Sequence, residues 1–169
     1  MSLSMYSSSV PVFKHFLNSL SVILKKAAEY AAEKKIEDSV LTQARLFPDM
    51  FPLARQVQIA SDVAKGCAGR LAGVELPRYE DTEQTFEELQ ARIAKTIAFL
   101  DSIPEDAING TEKKDIKLKA GPRELEFIGE YFLRQWALPN LFFHTTTAYN
   151  ILRHNGVPVG KLDYLGGGN

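Results

Sequence analysis

Residues 139–156, PNLFFHTTTAYNILRHNG, decide how the rest of the chain is read. Leu141, His144, Ala148, Ile151 and Leu152 recur at the i, i+3, i+4 intervals that line one face of an α-helix, with Asn140 and Thr147 beside them. The spacing predicts a buried stripe that carries a histidine. Pro139 suits a first helical turn, where its missing N–H has no partner to lose, or else it kinks a longer helix that begins near Gly129. Gly156, preceded by Arg153, His154 and Asn155, is a stop signal whose cations suit the negative end of the helix dipole. His144 is therefore expected inside and His154 at the exposed end.

Working back from this stretch, residues 129–138 keep helical spacing through Tyr131, Phe132, Gln135 and Trp136. Residues 115–127 break it. Ile116 and Leu118 alternate with Lys117 and Lys119, and Leu125 and Phe127 with Glu124 and Glu126, on either side of Gly121-Pro122. Period two around a Gly-Pro turn predicts a β-hairpin with lysines opposite glutamates, laid against the rest because an isolated hairpin is marginal in water.

Three further long helices are expected before it. The first starts after Ser8 or Ser9 and carries Phe13, Phe16, Leu17, Leu20, Ile23, Leu24, Ala27, Ala28 and Ala31, with His15 to the side. The second opens at Phe47-Pro48, runs through Met50, Phe51, Ala54, Val57, Gln58, Ser61, Ala64, Ala68 and Leu71, and closes at Gly73. The third is announced by Thr85 and Glu88, a capping box, and continues through Phe86, Leu89, Ile93, Ile97 and Leu100 to Pro104. Loop lengths suggest that the third lies antiparallel to the second. In the tail, Leu162, Tyr164 and Leu165 are expected to fold back. The fold class that follows is all-α: one domain over residues 1–169, an antiparallel up-and-down four-helix bundle with a small hairpin before the last helix.

Composition narrows the function classes. With 45% hydrophobic and 24% charged residues and a net charge of −1, the chain has no general pull toward nucleic acid or an acidic membrane. One cysteine, Cys67, rules out an internal disulfide and a multi-cysteine metal cluster. Residues 1–10 lack a basic segment followed by an apolar run, and no stretch reaches the ~18 apolar residues of a membrane span, so a cytoplasmic location is expected. There is no GxGxxG, no Walker loop and no HExxH.

Four long helices, with FFHTTTAYNILRHNG on the last, PDMFPLARQVQ in the second, LQARIAKTIAFL in the third and GKLDYLG in the tail, resemble the DinB/YfiT-like superfamily of metal-dependent hydrolases, and more closely an uncharacterised branch of unknown function. The resemblance implies a metal site of one histidine from the second helix and an HxxxH pair from the last, three donors that suit Zn or Ni. His144 matches the first histidine of that pair. Its i+4 partner is Ala148, and the second-helix position falls near Gln58. One imidazole does not grip such an ion, so no cofactor is expected.

The pocket candidates are Gln58, Ser61, His144 and Thr147, which would gather polar groups inside an apolar bundle, and Trp136 and Tyr149 as walls. The alternative to a ligand-contacting His144 is a satisfied core histidine, its ring nitrogens bonded to Gln58 or Thr147. Three readings stand side by side: a small-molecule-binding or degenerate-enzyme bundle with this pocket; a metal-dependent hydrolase or transferase with an atypical ligand set, drawing a further donor from Tyr149, His15 or substrate; and a structural or interaction module. A homodimer is expected, because bundles of this type often pair through one face.

Overall fold

Phe13, Leu17, Leu20, Ile23, Leu24, Ala27 and Ala31 are withdrawn from solvent, so the first helix turns its predicted stripe into the core. Residues 3–167 are described by a computed structural model. The elements are α1 (Val10–Lys34), α2 (Asp38–Thr42), α3 (Leu53–Ala72), α4 (Phe86–Asp101), α5 (Glu105–Ile108), strands β1 (Asp115–Ala120) and β2 (Arg123–Ile128), α6 (Gly129–Tyr131), a π-helical turn (Phe132–Ala137), α7 (Leu138–His154) and α8 (Lys161–Tyr164). The fold is a bundle of four long helices with a hairpin before the last.

The local signals hold in detail. Glu88 N–H donates to Thr85 Oγ1 at 3.2 Å, and Thr85 N–H to Glu88 Oε2 at 3.0 Å, closing the capping box at the start of α4. In the hairpin Lys117 faces Glu126 and Lys119 faces Glu124. Both pairs are exposed, so they specify register more than they stabilise it. Ile116 is buried, and Phe127 packs on Phe132 and Trp136, which fastens the hairpin to the bundle.

α3 starts at Leu53, not at Phe47. Pro52 occupies the N-cap with extended backbone, and a proline disfavours helical geometry in the residue before it, so Phe51 lies in the preceding turn and is exposed. The last helix does run on from Gly129, and its irregularity lies just before Pro139. The proline has no N–H to give and its ring crowds the carbonyl four residues back, and the chain answers with the π-helical turn over Phe132–Ala137. In the tail Tyr164 folds back onto Phe16, while Leu162 and Leu165 stay exposed, because α8 is anchored instead by the buried Asp163 on Lys26.

The directions of the helices correct one pairing. Lys14 meets Asp101, and Ser21 meets Gln90, so α1 and α4 are antiparallel. His144 meets Gln56 while Gly129 lies by Leu71, so α7 and α3 are antiparallel too. The expected antiparallel pairing of the second and third long helices is not found: Arg92 reaches Gln58 and Asp62, Phe99 reaches Gly69, and the N-termini of both helices lie against the α2 segment. α3 and α4 therefore run in the same direction. Parallel neighbours need a long crossover. α3 is about 30 Å long at 1.5 Å per residue, and the segment 74–85, which reaches about 40 Å at ~3.3 Å per residue when fully extended, is long enough to return over it without a helix of its own.

Candidate functional site

α3 and α7 meet at His144, which is 8% exposed. Its Nδ1 lies 2.7 Å from Gln56 Oε1. The Gln56 amide is oriented by its other end, since Nε2 donates to the Phe51 carbonyl at 2.9 Å. Gln56 thus presents an acceptor, so Nδ1 carries the ring proton and Nε2 keeps its lone pair. Nε2 has no partner among the described residues. It is not sealed in either, because the one fully buried side-chain polar atom without a partner there is Arg92 Nε. Burial, reinforced by the Arg55 charge, pulls the imidazole down to about 4. The ring is a neutral, oriented acceptor at pH 7, flanked edge-on by the exposed Phe143, and the exposed Phe51 is tied to the same Gln56 through its carbonyl.

The donor set does not fit the metal site that the resemblance implies. Gln56 spends its carbonyl on His144 and its amide on Phe51, so it offers no second donor. Ala148 stands where the second histidine of an HxxxH pair would be. Among the described residues no three His, Cys, Asp or Glu side chains are grouped to hold an ion. His15 packs beside Phe16 and Gly166 on another face, and His154 is exposed at the end of α7. Cys67 is buried, and burial pushes its thiol well above the usual range.

The six sequence candidates do not converge. Ser61 Oγ donates to the Val57 carbonyl and Thr147 Oγ1 to the Phe143 carbonyl, each one turn back in its own helix, which spends their hydroxyl protons locally. Trp136 lines a separate cavity against α3, and Tyr149 faces Tyr164 in the tail. Gln58 does not reach His144. Two residues further along α3 than Gln56, it points about 200° around the helix, accepting from Arg55 and donating to Glu83 at 3.0 Å.

Gln58 instead lines a polar cleft of about 630 Å³ between α2, the start of α3 and the crossover, with Ser39, Gln43, Arg55, Asp81 and Glu83 also on its walls. Arg55 joins the two places, because it lines the cleft and its charge is felt at His144. Behind the cleft, Arg92 is fully buried. Its Nη1 donates to Glu83 and to the Glu80 carbonyl, and its Nη2 donates to the Gln58 carbonyl and is ion-paired with Asp62 and Asp81. Lys65 adds a bond to the Pro77 carbonyl at 2.9 Å and sits over the Tyr79 ring. This network nails the crossover to α3 and α4.

Sequence reasoning missed Gln56 and Arg92. Both carried a signal. With α3 begun at Leu53, the stripe Leu53, Val57, Ala60, Ala64, Ala68 and Leu71 puts Gln56 on its edge, and Arg92 sits between Leu89 and Ile93 on the buried face of α4. A polar residue inside an apolar stripe needs a partner.

The family described as "Domain of unknown function (DUF1993)" matches residues 5–165. Among solved structures the chain is similar to a DinB family member from Shewanella denitrificans, at 41% identity and a TM-score of 0.85, over 95% of this chain and 90% of that one. No curated protein matches it. No helix of the described residues is long and apolar enough to cross a membrane. With a bundle of the DinB type and a family match over almost its whole length, the chain belongs to the DUF1993 family.

Proposed function

We propose that the chain is a small-molecule-binding bundle of the DinB type, or an enzyme reduced to that role, working without a resident metal. A ligand donates a hydrogen bond to His144 Nε2, rests against the rings of Phe51 and Phe143, and extends past Arg55 toward the polar cleft at Gln58. The observation that supports this reading is the relay from the Phe51 carbonyl through Gln56 to Nδ1, which leaves Nε2 open and of fixed character. A satisfied core histidine does not need an orienting relay and an unused acceptor.

The test is a screen of small amides, alcohols and amines against protein labelled with ¹⁵N in its histidines. The reading expects hits that move the His144 Nε2 resonance and lose affinity by at least about tenfold, the ~1.4 kcal/mol of a hydrogen bond, in His144→Phe. Stoichiometric zinc or nickel binding that disappears in the same variant would replace it with the metal-dependent alternative.

A further inference from the structure

A second cavity, of about 200 Å³, lies away from His144, between α3 and the π-helical turn. Its floor is Gly66 and Cys67, its far wall is Phe132, Trp136 and Ala137, and Leu118 of the hairpin closes one side. The i→i+5 turn sets Phe132, Trp136 and Ala137 together on that wall; such turns recur at functional sites. One lining group is out of keeping with the rest. Arg70 is half-buried, and the one hydrogen bond it makes among the described residues runs from Nη1 to the Gly66 carbonyl, at 2.9 Å. Among the described residues no carboxylate is paired with it, and burial lowers its proton affinity. The acid that shares the lining, Asp62, lies two helical turns away, about 12 Å along α3, and is already paired with Lys65 and Arg92.

A desolvated guanidinium without a counter-charge, at the edge of an aromatic cavity, matches a ligand that is apolar at one end and a carboxylate at the other. We propose that this cavity binds small aryl or short-chain alkyl carboxylates, with the carboxylate on Arg70 and the hydrocarbon against Phe132, Trp136 and Leu118. The volume is that of roughly seven waters at ~30 Å³ each, which admits an acid of about ten non-hydrogen atoms. Such ligands bind in the millimolar range or tighter.

Trp136 is the chain's one tryptophan, so its fluorescence reads occupancy directly. The intact protein is titrated with phenylacetate and with its neutral counterpart phenylacetamide. The expected result is a saturable change with phenylacetate, at least about tenfold weaker with the amide, the difference one charged hydrogen-bonded pair makes. Arg70→Met should erase the preference for the acid, and His144→Gln should leave the titration unchanged. No saturable change with phenylacetate up to about 10 mM, well past the expected range, overturns the proposal. So does equal affinity for acid and amide in the unaltered protein, a comparison that needs no variant to fold. Loss of the response in His144→Gln would place the acid at the other site and also overturn it.

Discussion

At the level of single residues, the environment of the His144 imidazole favours its neutral form. In the unfolded chain the ordinary histidine value of 6.5 applies to His144, and burial in the fold lowers it to about 4. Between those values the unfolded state holds more protons, so stability falls as pH drops through this window and is level above it. At ~1.4 kcal/mol per unit the full shift would be worth ~3 kcal/mol, which partial access of water reduces to about 2. Denaturant unfolding from pH 7 to pH 4 should show this loss, and His144→Gln, which keeps a bonding partner for Gln56 but has no ionisable ring, should lose about 2 kcal/mol less over the same range. Equal slopes for the two proteins would count against a buried neutral ring. That His144 points inward was legible, because five positions at helical spacing fix the phase of α7. Its partner was not. Starting the second helix at Phe47 set its phase from Met50 and Phe51, which lie outside it, and brought Gln58 forward in place of Gln56.

At the scale of elements, the two decisive junctions are the crossover and the entry to the last helix. Arg92→Met leaves the shielded Glu83 carboxylate with only the more distant Lys95, at 4.0 Å, and breaking a buried pair from one side costs ~3–5 kcal/mol. Limited proteolysis should then cut within residues 74–85 well before the helices, whereas cleavage unchanged from the parent would show that the crossover does not depend on Arg92. At the other junction a Cβ on Gly129 would lie 2.0 Å from the Thr111 carbonyl oxygen, where Glu130 N–H also bonds Glu112. Gly129→Ala must push the loop at Thr111 off the helix start, at a cost of about 1–3 kcal/mol in urea unfolding, typical of overpacking. A neutral substitution would contradict the close approach. The capping box and the hairpin register were legible because their partners lie within a few residues of each other. The parallel run of α3 and α4 was not, because no local pattern encodes which way a neighbour points, and the residue that secures the crossover is a lone arginine in an apolar stripe.

At the scale of the whole molecule, the structure resembles the DinB family member closely in fold, yet the groups at the meeting of α3 and α7 are those of an oriented acceptor. Fold is shared more widely than chemistry, so the site's own donors and acceptors have to carry the functional argument. Gln56 and Ala148 leave His144 alone with its relay, and the Gln58 cleft and the Arg70 cavity lie on different sides of α3. The sequence made the bundle and the deficient ligand set visible, but the separation of these places depends on the phase of α3 and on the π-helical turn, both set by prolines whose effect is on their neighbours. The measurement that bears most directly on the central claim is a pH titration of the histidine ring nitrogens by ¹⁵N NMR, run with and without one equivalent of zinc. His144 should show a protonated Nδ1 and a bare Nε2 down to about pH 5, about one unit above its midpoint, and should not respond to the metal. A midpoint near the ordinary histidine value, a mixture of tautomers, or a shift of Nε2 on adding zinc would contradict it.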